Sequence, residues 1–176
     1  MLDTRNVTDE FKDMPIEQIV AKLDGNGSTL EIAIENTLRD YNMGTIVRSA
    51  NAFGVRRIHV IGRRQWNKRG AMATDKYVHI QYHESPEVFA SAMQKKAIIA
   101  VDNIEGAKTL SSVTFPRDAV LLFGQEGPGI SDELCQYASQ TVAIEQFGST
   151  RSINVGVAAG IVMYEYTRQQ LLSPLS

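Results

Sequence analysis

The sequence predicts an α/β protein: one domain built on a mostly parallel sheet with helices on both faces. Segments of strand character alternate with segments of helical character from Leu30 onward. Two of the strands, "AIIAVD" and "AVLLFG", are unbroken apolar runs, as expected of parallel strands covered on both sides. The 176 residues suit a single core, and no Pro/Gly/Ser-rich linker or repeat divides them.

Residues 1–28 read as an N-terminal extension. It carries a short amphipathic helix at "PIEQIVAKL", bounded by Pro15 in its first turn and Gly25 just past its end. "LEIAIEN" is a strand with Leu30, Ile32 and Ile34 on one face. "MGTIVRSANAF" is a helix whose Ile46, Ala50 and Phe53 make a buried stripe, leaving Arg48 off that stripe and pointing outward. "RIHVIG" and "VHIQYH" are strands, and "SPEVFASAMQK" is a helix capped by Ser85 with Pro86 next. After the two apolar strands come "SDELCQYAS", a helix capped by Ser131 with acids in its first turn, and the strand "TVAIEQ". "INVGVAAGIVMYEYTRQQLL" is the closing helix, which Ser152 is placed to cap.

Composition narrows the function classes. Apolar content of 43% and charged content of 22% are ordinary for a soluble globular domain. No apolar stretch approaches the ~20 residues that span a bilayer, and the polar, acidic N-terminus has no hydrophobic segment of signal-peptide type. A single cysteine, Cys135, excludes an internal disulfide, so a cytoplasmic location is expected. His59, His79 and His83 are scattered and Cys135 lies in a predicted helix, so no metal site is expected. The net charge of −2 does not favour nucleic acid, but its distribution does. From Tyr41 to Thr74 there is no acid, and the window holds Arg48, Arg56, Arg57, Arg63, Arg64, Lys68 and Arg69. Within "RRQWNKRG", Trp66 either stacks on a base or anchors its loop.

Three polar loops sit at strand ends, where open α/β sheets bind ligands. The first, "RDYNMGTIVRSANAFG", offers Asn42 as a cap and Arg48 as a projecting guanidinium. The second, "LLFGQEGPGIS", runs a buried strand into Gly124, Gly127 and Gly129 around a lone acid, Glu126. It is neither G-x-G-x-x-G nor a P-loop, so a nucleotide phosphate is not its ligand. The third, "FGSTRSINVG", puts small polar residues before the closing helix, with Asn154 in its first turn.

In this order and spacing the three loops resemble the motifs of the SpoU/TrmH family of RNA ribose 2'-O-methyltransferases, in the SPOUT superfamily. The matching residues are Asn42, Gly44, Arg48 and "AFG" in the first motif, then Gly124, Glu126, Gly127 and Gly129 in the second. The third matches through "IEQFGSTRSINVGVAAGIVMYE", with Ile153 for the family Leu and Gly156 for its second Ser. The resemblance covers Leu30 to Leu172 and implies a SPOUT domain over residues 29–176. It also implies a C-terminal deep trefoil knot, a homodimer and S-adenosylmethionine as cofactor. By resemblance, Phe123, Gly124, Gln125, Glu126, Gly127, Ile144, Gln146, Ser152, Ile153 and Asn154 hold the cofactor. Arg48, Asn42, Asn154, Ser152 and Glu126 form the catalytic set. Arg48 is the base in family proposals. A guanidinium that stays protonated suggests instead a phosphate holder and alkoxide stabiliser. Transfer or ribosomal RNA is the expected substrate, met by Arg48, Arg63, Arg64, Trp66, Lys68, Arg69 and Arg151. The alternatives are a catalytically silent RNA-binding protein of this fold and a SPOUT enzyme that methylates a base.

Overall fold

The computed structural model describes residues 3–37 and 42–172. Seven strands form one parallel sheet: β1 (Ser28–Asn36), β2 (Val55–Gly62), β3 (His79–His83), β4 (Ala97–Val101), β5 (Lys108–Thr109), β6 (Ala119–Phe123) and β7 (Gln140–Ala143). Their order across the sheet is β3-β2-β1-β6-β4-β7-β5. The helices are α1 (Ile16–Gly25), α2 (Met43–Ala52), α3 (Pro86–Ala92), α4 (Asp132–Cys135) and α5 (Val155–Thr167). No described helix is long and apolar enough to cross a membrane.

Side-chain alternation divides the core into two layers. On one face Leu30, Ile32, Ile34, Leu121 and Phe123 pack with α2 and α5. On the other, Ala33, Ala100, Val120 and Leu122 pack with Phe89 from α3, Met93 just past its end and Leu134 from α4. Both faces are thus helix-covered, as the apolar strands predicted. The helix α1 is fastened through buried Ile19 and through Asp24, which accepts from Arg56 Nε at 2.8 Å.

Several local expectations change. The segment predicted as a long α4 forms a single turn. Tyr137 and Ala138 tighten onto Leu134 and Cys135, and Ser139 then donates to Ile98 O at 2.8 Å, drawing the chain into β7. Ser131 stands at the cap position of α4, but its hydroxyl makes no cap bond and has no hydrogen-bond partner among the described residues. The strand β7 stops at Ala143, short of the predicted Gln146. The two-residue β5 had no apolar run to announce it. The closing helix begins two residues later than predicted and finishes in a π-turn over Arg168–Leu172.

The second face of β1 was also unforeseen. Glu31 and Glu35 are each only 5% exposed, because β1 is central and helices cover that side too. Each buried carboxylate has partners. Glu35 accepts from Ser131 N at 2.9 Å. Glu31 accepts from His59 at 2.9 Å, and from Arg57 and Lys96 at 3.2 and 3.1 Å. His59 in turn bonds His83 at 2.9 Å on the neighbouring strand, so two of the three histidines form a buried pair rather than a scatter. Burial works to raise the Glu31 pKa, but the hydrogen bonds from His59 and Lys96 outweigh it and hold the carboxyl at about 2. Burial, with His59 adding to it, pushes the His83 pKa below its usual 6.5.

Both shifts act in one direction. A group whose pKa is lower in the folded state binds fewer protons there, so stability falls as pH falls. The expected result is a melting temperature that declines below pH 6.5 as His83 is protonated in the unfolded chain, and further below 4.5 as Glu31 follows. Replacing His83 by Gln should flatten the first decline and leave the second. A melting temperature that rose on acidification would contradict the arrangement.

Candidate active site

The described parts of the three polar loops converge at the C-terminal ends of the strands, as open α/β sheets dictate; Arg39, Asp40 and Tyr41 of the first lie outside the described residues. There β4, β6, β7 and the start of α5 enclose a cavity of about 180 Å³ that opens on one side. Its apolar wall is Val101, Val142, Ile144, Ile153, Val155 and Ala158. Its polar wall is Asp102, Asn103, Gln125, Glu126, Gln146, Ser152 and Asn154. Among the described residues no Lys or Arg lines it.

The glycine loop after β6 is drawn tight. Gln125 and Gly129 exchange backbone hydrogen bonds at 3.0 and 3.1 Å. Gly127 has φ +102° on the cavity wall, a conformation that favours glycine. A Cβ on Gly124 would overlap the backbone of Gly129 and Ile130, so this position admits only hydrogen.

Asn42, Glu126 and Asn154, one from each loop, are hydrogen-bonded together. Asn42 Nδ2 donates to Glu126 Oε2 at 2.8 Å, and Asn154 Nδ2 donates to Asn42 Oδ1 at 2.8 Å. Asn154 Nδ2 also reaches Glu126 Oε1 at 3.3 Å. The other end of the Asn154 amide caps α5, its Oδ1 accepting from the Gly156 and Val157 N–H groups at 2.9 and 3.3 Å. Two expected caps therefore change. Asn154, not Ser152, caps α5. Asn42 sits at the start of α2 with helical backbone angles and makes no cap bond, because its side chain is turned to Glu126 and Asn154.

The SpoU rRNA Methylase family model matches residues 29–164. The chain belongs to this family. Among curated relatives, the tRNA (guanosine(18)-2'-O)-methyltransferase of Escherichia coli K12 is 27% identical over 146 residues, spanning 80% of this chain and 64% of that protein. The chain thus matches somewhat less than two thirds of that relative's length. A TrmH/SpoU tRNA modifying enzyme of A. aeolicus superposes with a TM-score of 0.76 at 25% identity, over 88% of this chain and 84% of that one. An AdoMet bound rRNA methyltransferase from Sinorhizobium meliloti superposes with a TM-score of 0.72 at 26% identity, over 81% of this chain and 57% of that one.

Within this SpoU family chain, most residues expected at the cofactor lie on the cavity wall: Gly124, Gln125, Glu126, Gly127, Ile144, Gln146, Ser152, Ile153 and Asn154. Phe123 does not. It is fully buried in the core at the end of β6, where its side chain packs under α5. Sequence reasoning passed over Asp102 and Asn103, although an acid closing a buried strand was a usable signal. Asp102 accepts from Asn103 N at 2.7 Å and Ile130 N at 3.1 Å. Asn103 Nδ2 donates to Arg151 O at 2.9 Å, tying the loop after β4 to the loop before α5.

Arg48 lies on α2, exposed, outside the cavity wall and without an ion-pair partner among the described residues. The basic loop is docked against the same helix. Gly44 and Gly70 permit this, since a Cβ on Gly44 would come within 2.6 Å of Ala71 N, and one on Gly70 within 3.0 Å of Thr45 N. Arg63, Arg64, Arg69 and Arg151 are exposed and form no salt bridge among the described residues, while Lys68 pairs with Asp75 at 2.9 Å. Arg64 covers the Tyr82 ring at 4.9 Å. Trp66 is the anchor of its loop: half-buried against the core, it donates to Tyr82 OH at 3.4 Å and has Lys68 Nζ 5.6 Å from its centroid. Arg56 and Arg57 pair with Asp24 and Glu31 at the other end of the sheet. The glycine in place of the family serine also has a local reason. A Cβ on Gly156 would come within 3.1 Å of Thr45 Cγ2 and Asn154 Oδ1, so a larger residue at this contact between α2 and α5 requires those side chains to shift.

Proposed function

We propose that this chain transfers a methyl group from S-adenosylmethionine to a ribose 2'-hydroxyl of transfer or ribosomal RNA. The carrying observation is the union of Asn42, Glu126 and Asn154 at a cavity whose described lining holds no cationic side chain. Asp102 and Glu126, on a wall with no Lys or Arg among the described residues, suit a ligand with a positive sulfonium rather than phosphates. Gln146 Oε1 on that wall is buried without a hydrogen-bond partner among the described residues, an acceptor available to a ligand donor such as an adenine amino group. The residues present therefore fit the cofactor. Once bound, it supplies an electrophilic methyl on sulfur, and displacement yields the thioether, the 2'-O-methyl ether and one proton. The chain's own task is to present the hydroxyl. Arg48 grips the adjacent phosphate and stabilises the developing alkoxide while the proton leaves to water. Arg63, Arg64, Arg69 and Arg151 extend the cationic surface along the RNA, and Asn42 and Glu126 hold Asn154 and the α5 terminus in place.

The methyltransferase unit is residues 29–176, with 1–28 as its extension, acting in the cytoplasm as a homodimer. Support for the dimer comes from α5, where Val157, Ile161 and Tyr164 form an exposed apolar stripe at helical spacing. The cavity of about 180 Å³ is smaller than the ~300 Å³ floor of typical small-molecule sites, and a second copy would complete its open side. Support for the trefoil knot comes from the Asn103–Arg151 bond, which presses the C-terminal segment against the loop after β4. The test is transfer of labelled methyl to separated transfer and ribosomal RNA from cells lacking the gene. Label should enter one pool. Label in neither pool, despite measurable cofactor binding, would leave a binding protein.

A further inference from the structure

At the opposite end of the sheet, where β1, β2, β3 and β4 begin, lies a second cavity of about 410 Å³. Its wall gathers Asp24, Glu31, Arg56, Arg57, His79 and Lys96. Both carboxylates are already committed. Glu31 serves His59, Arg57 and Lys96, and Asp24 is divided between Arg56 Nε at 2.8 Å and His79 Nε2 at 3.0 Å. Arg56 is not fully served in return. It is only 8% exposed, and its Nη2 has no hydrogen-bond partner among the described residues. A guanidinium offers five donors in a fixed fork, and leaving one buried without an acceptor is unfavourable. The formal charges of the wall are three cations against two carboxylates before His79 is counted, so an anion is favoured. Gly27 keeps space for the arrangement, since a Cβ there would overlap the Arg56 stem.

We infer that this cavity binds a phosphate group, with Arg56 as the fork and Arg57 and Lys96 closing on the remaining oxygens. The side chains of Arg57 and Lys96 are 58% and 28% exposed, so both reach the open side where such a ligand enters. A forked guanidinium beside an ammonium is the pairing that suits a tetrahedral oxyanion. The phosphate is either a free small anion or part of an RNA backbone. The site stands on its own geometry and does not depend on methyl transfer.

The test uses the full chain carrying Arg48→Ala, so that the proposed catalytic arginine contributes nothing. Inorganic phosphate is titrated at constant ionic strength and followed by its phosphorus NMR line width and by calorimetry. Saturable binding is expected. It should weaken at least tenfold in Arg56→Lys, which keeps a charge for Asp24 but loses the fork. It should weaken several-fold in Lys96→Gln, which keeps the test decisive if the Arg56 variant misfolds. A short single-stranded RNA that displaces the phosphate would support the site with backbone phosphate as its ligand. An RNA that leaves it bound would support the site with the free anion as its ligand. No saturable binding, or equal binding in both variants, would overturn the proposal.

Discussion

Replacing Arg48 by Ala is expected to reduce methyl transfer by ~10²–10³-fold or more, the size of effect seen when a donor to a developing oxyanion is removed. Binding of S-adenosylmethionine should be unchanged, because Arg48 is not on the cavity wall. Folding should be unaffected within ~0.5 kcal/mol, since the side chain is exposed and has no ion-pair partner among the described residues. Calorimetric titration of the cofactor beside a transfer assay separates these effects. Arg48→Lys refines the result. It retains a charge for the phosphate but loses the fork, so it should recover binding of RNA more than turnover. Wild-type turnover in Arg48→Ala would remove the arginine from the mechanism.

The second large effect is expected at Gly124. An added methyl there would overlap backbone atoms of Gly129 and Ile130, and backbone held by the Gln125–Gly129 bridge cannot step aside as a flexible side chain does. Gly124→Ala should cost about 1–3 kcal/mol of stability, as overpacking does. It should also weaken cofactor binding at least tenfold, because Gln125, Glu126 and Gly127 move with the loop. Gly25→Ala is the matched control. Its added Cβ meets nothing within 4 Å, and alanine is the better helix former. Cofactor affinity unchanged in Gly124→Ala would mean that the glycine loop does not shape the site.

These expectations rest on features of unequal legibility. The sheet was readable because β4 and β6 are apolar runs whose two faces both need covering, and the structure covers both. The glycine loop was readable because Gly124, Gly127 and Gly129 cluster directly after a buried strand, where the chain must turn tightly at the ligand-binding end of the sheet. The caps were not. Ser152 and Asn42 are both good capping residues by type, but the choice was made by contacts across the chain. Asn154 is placed to bond Asn42 and Glu126 and to hold the α5 amides at once. The Glu31–His59–His83 network was hidden for the same reason, since its members lie on three adjacent strands and meet only through sheet order. Asp102 and Asn103 gain their meaning from Ile130 and Arg151, which are distant in sequence. Family resemblance supplied the roles of residues, whereas the docking of the basic loop on α2 emerged only with Gly44 and Gly70 packed face to face.

The most direct test of the central claim is the chemical identity of the product. RNA labelled by the wild-type chain is digested to nucleosides, and the methylated species is identified by chromatography and mass. The account predicts a 2'-O-methylnucleoside, formed by the wild type and absent with Arg48→Ala. A base-methylated nucleoside, or equal product from the variant, would contradict it.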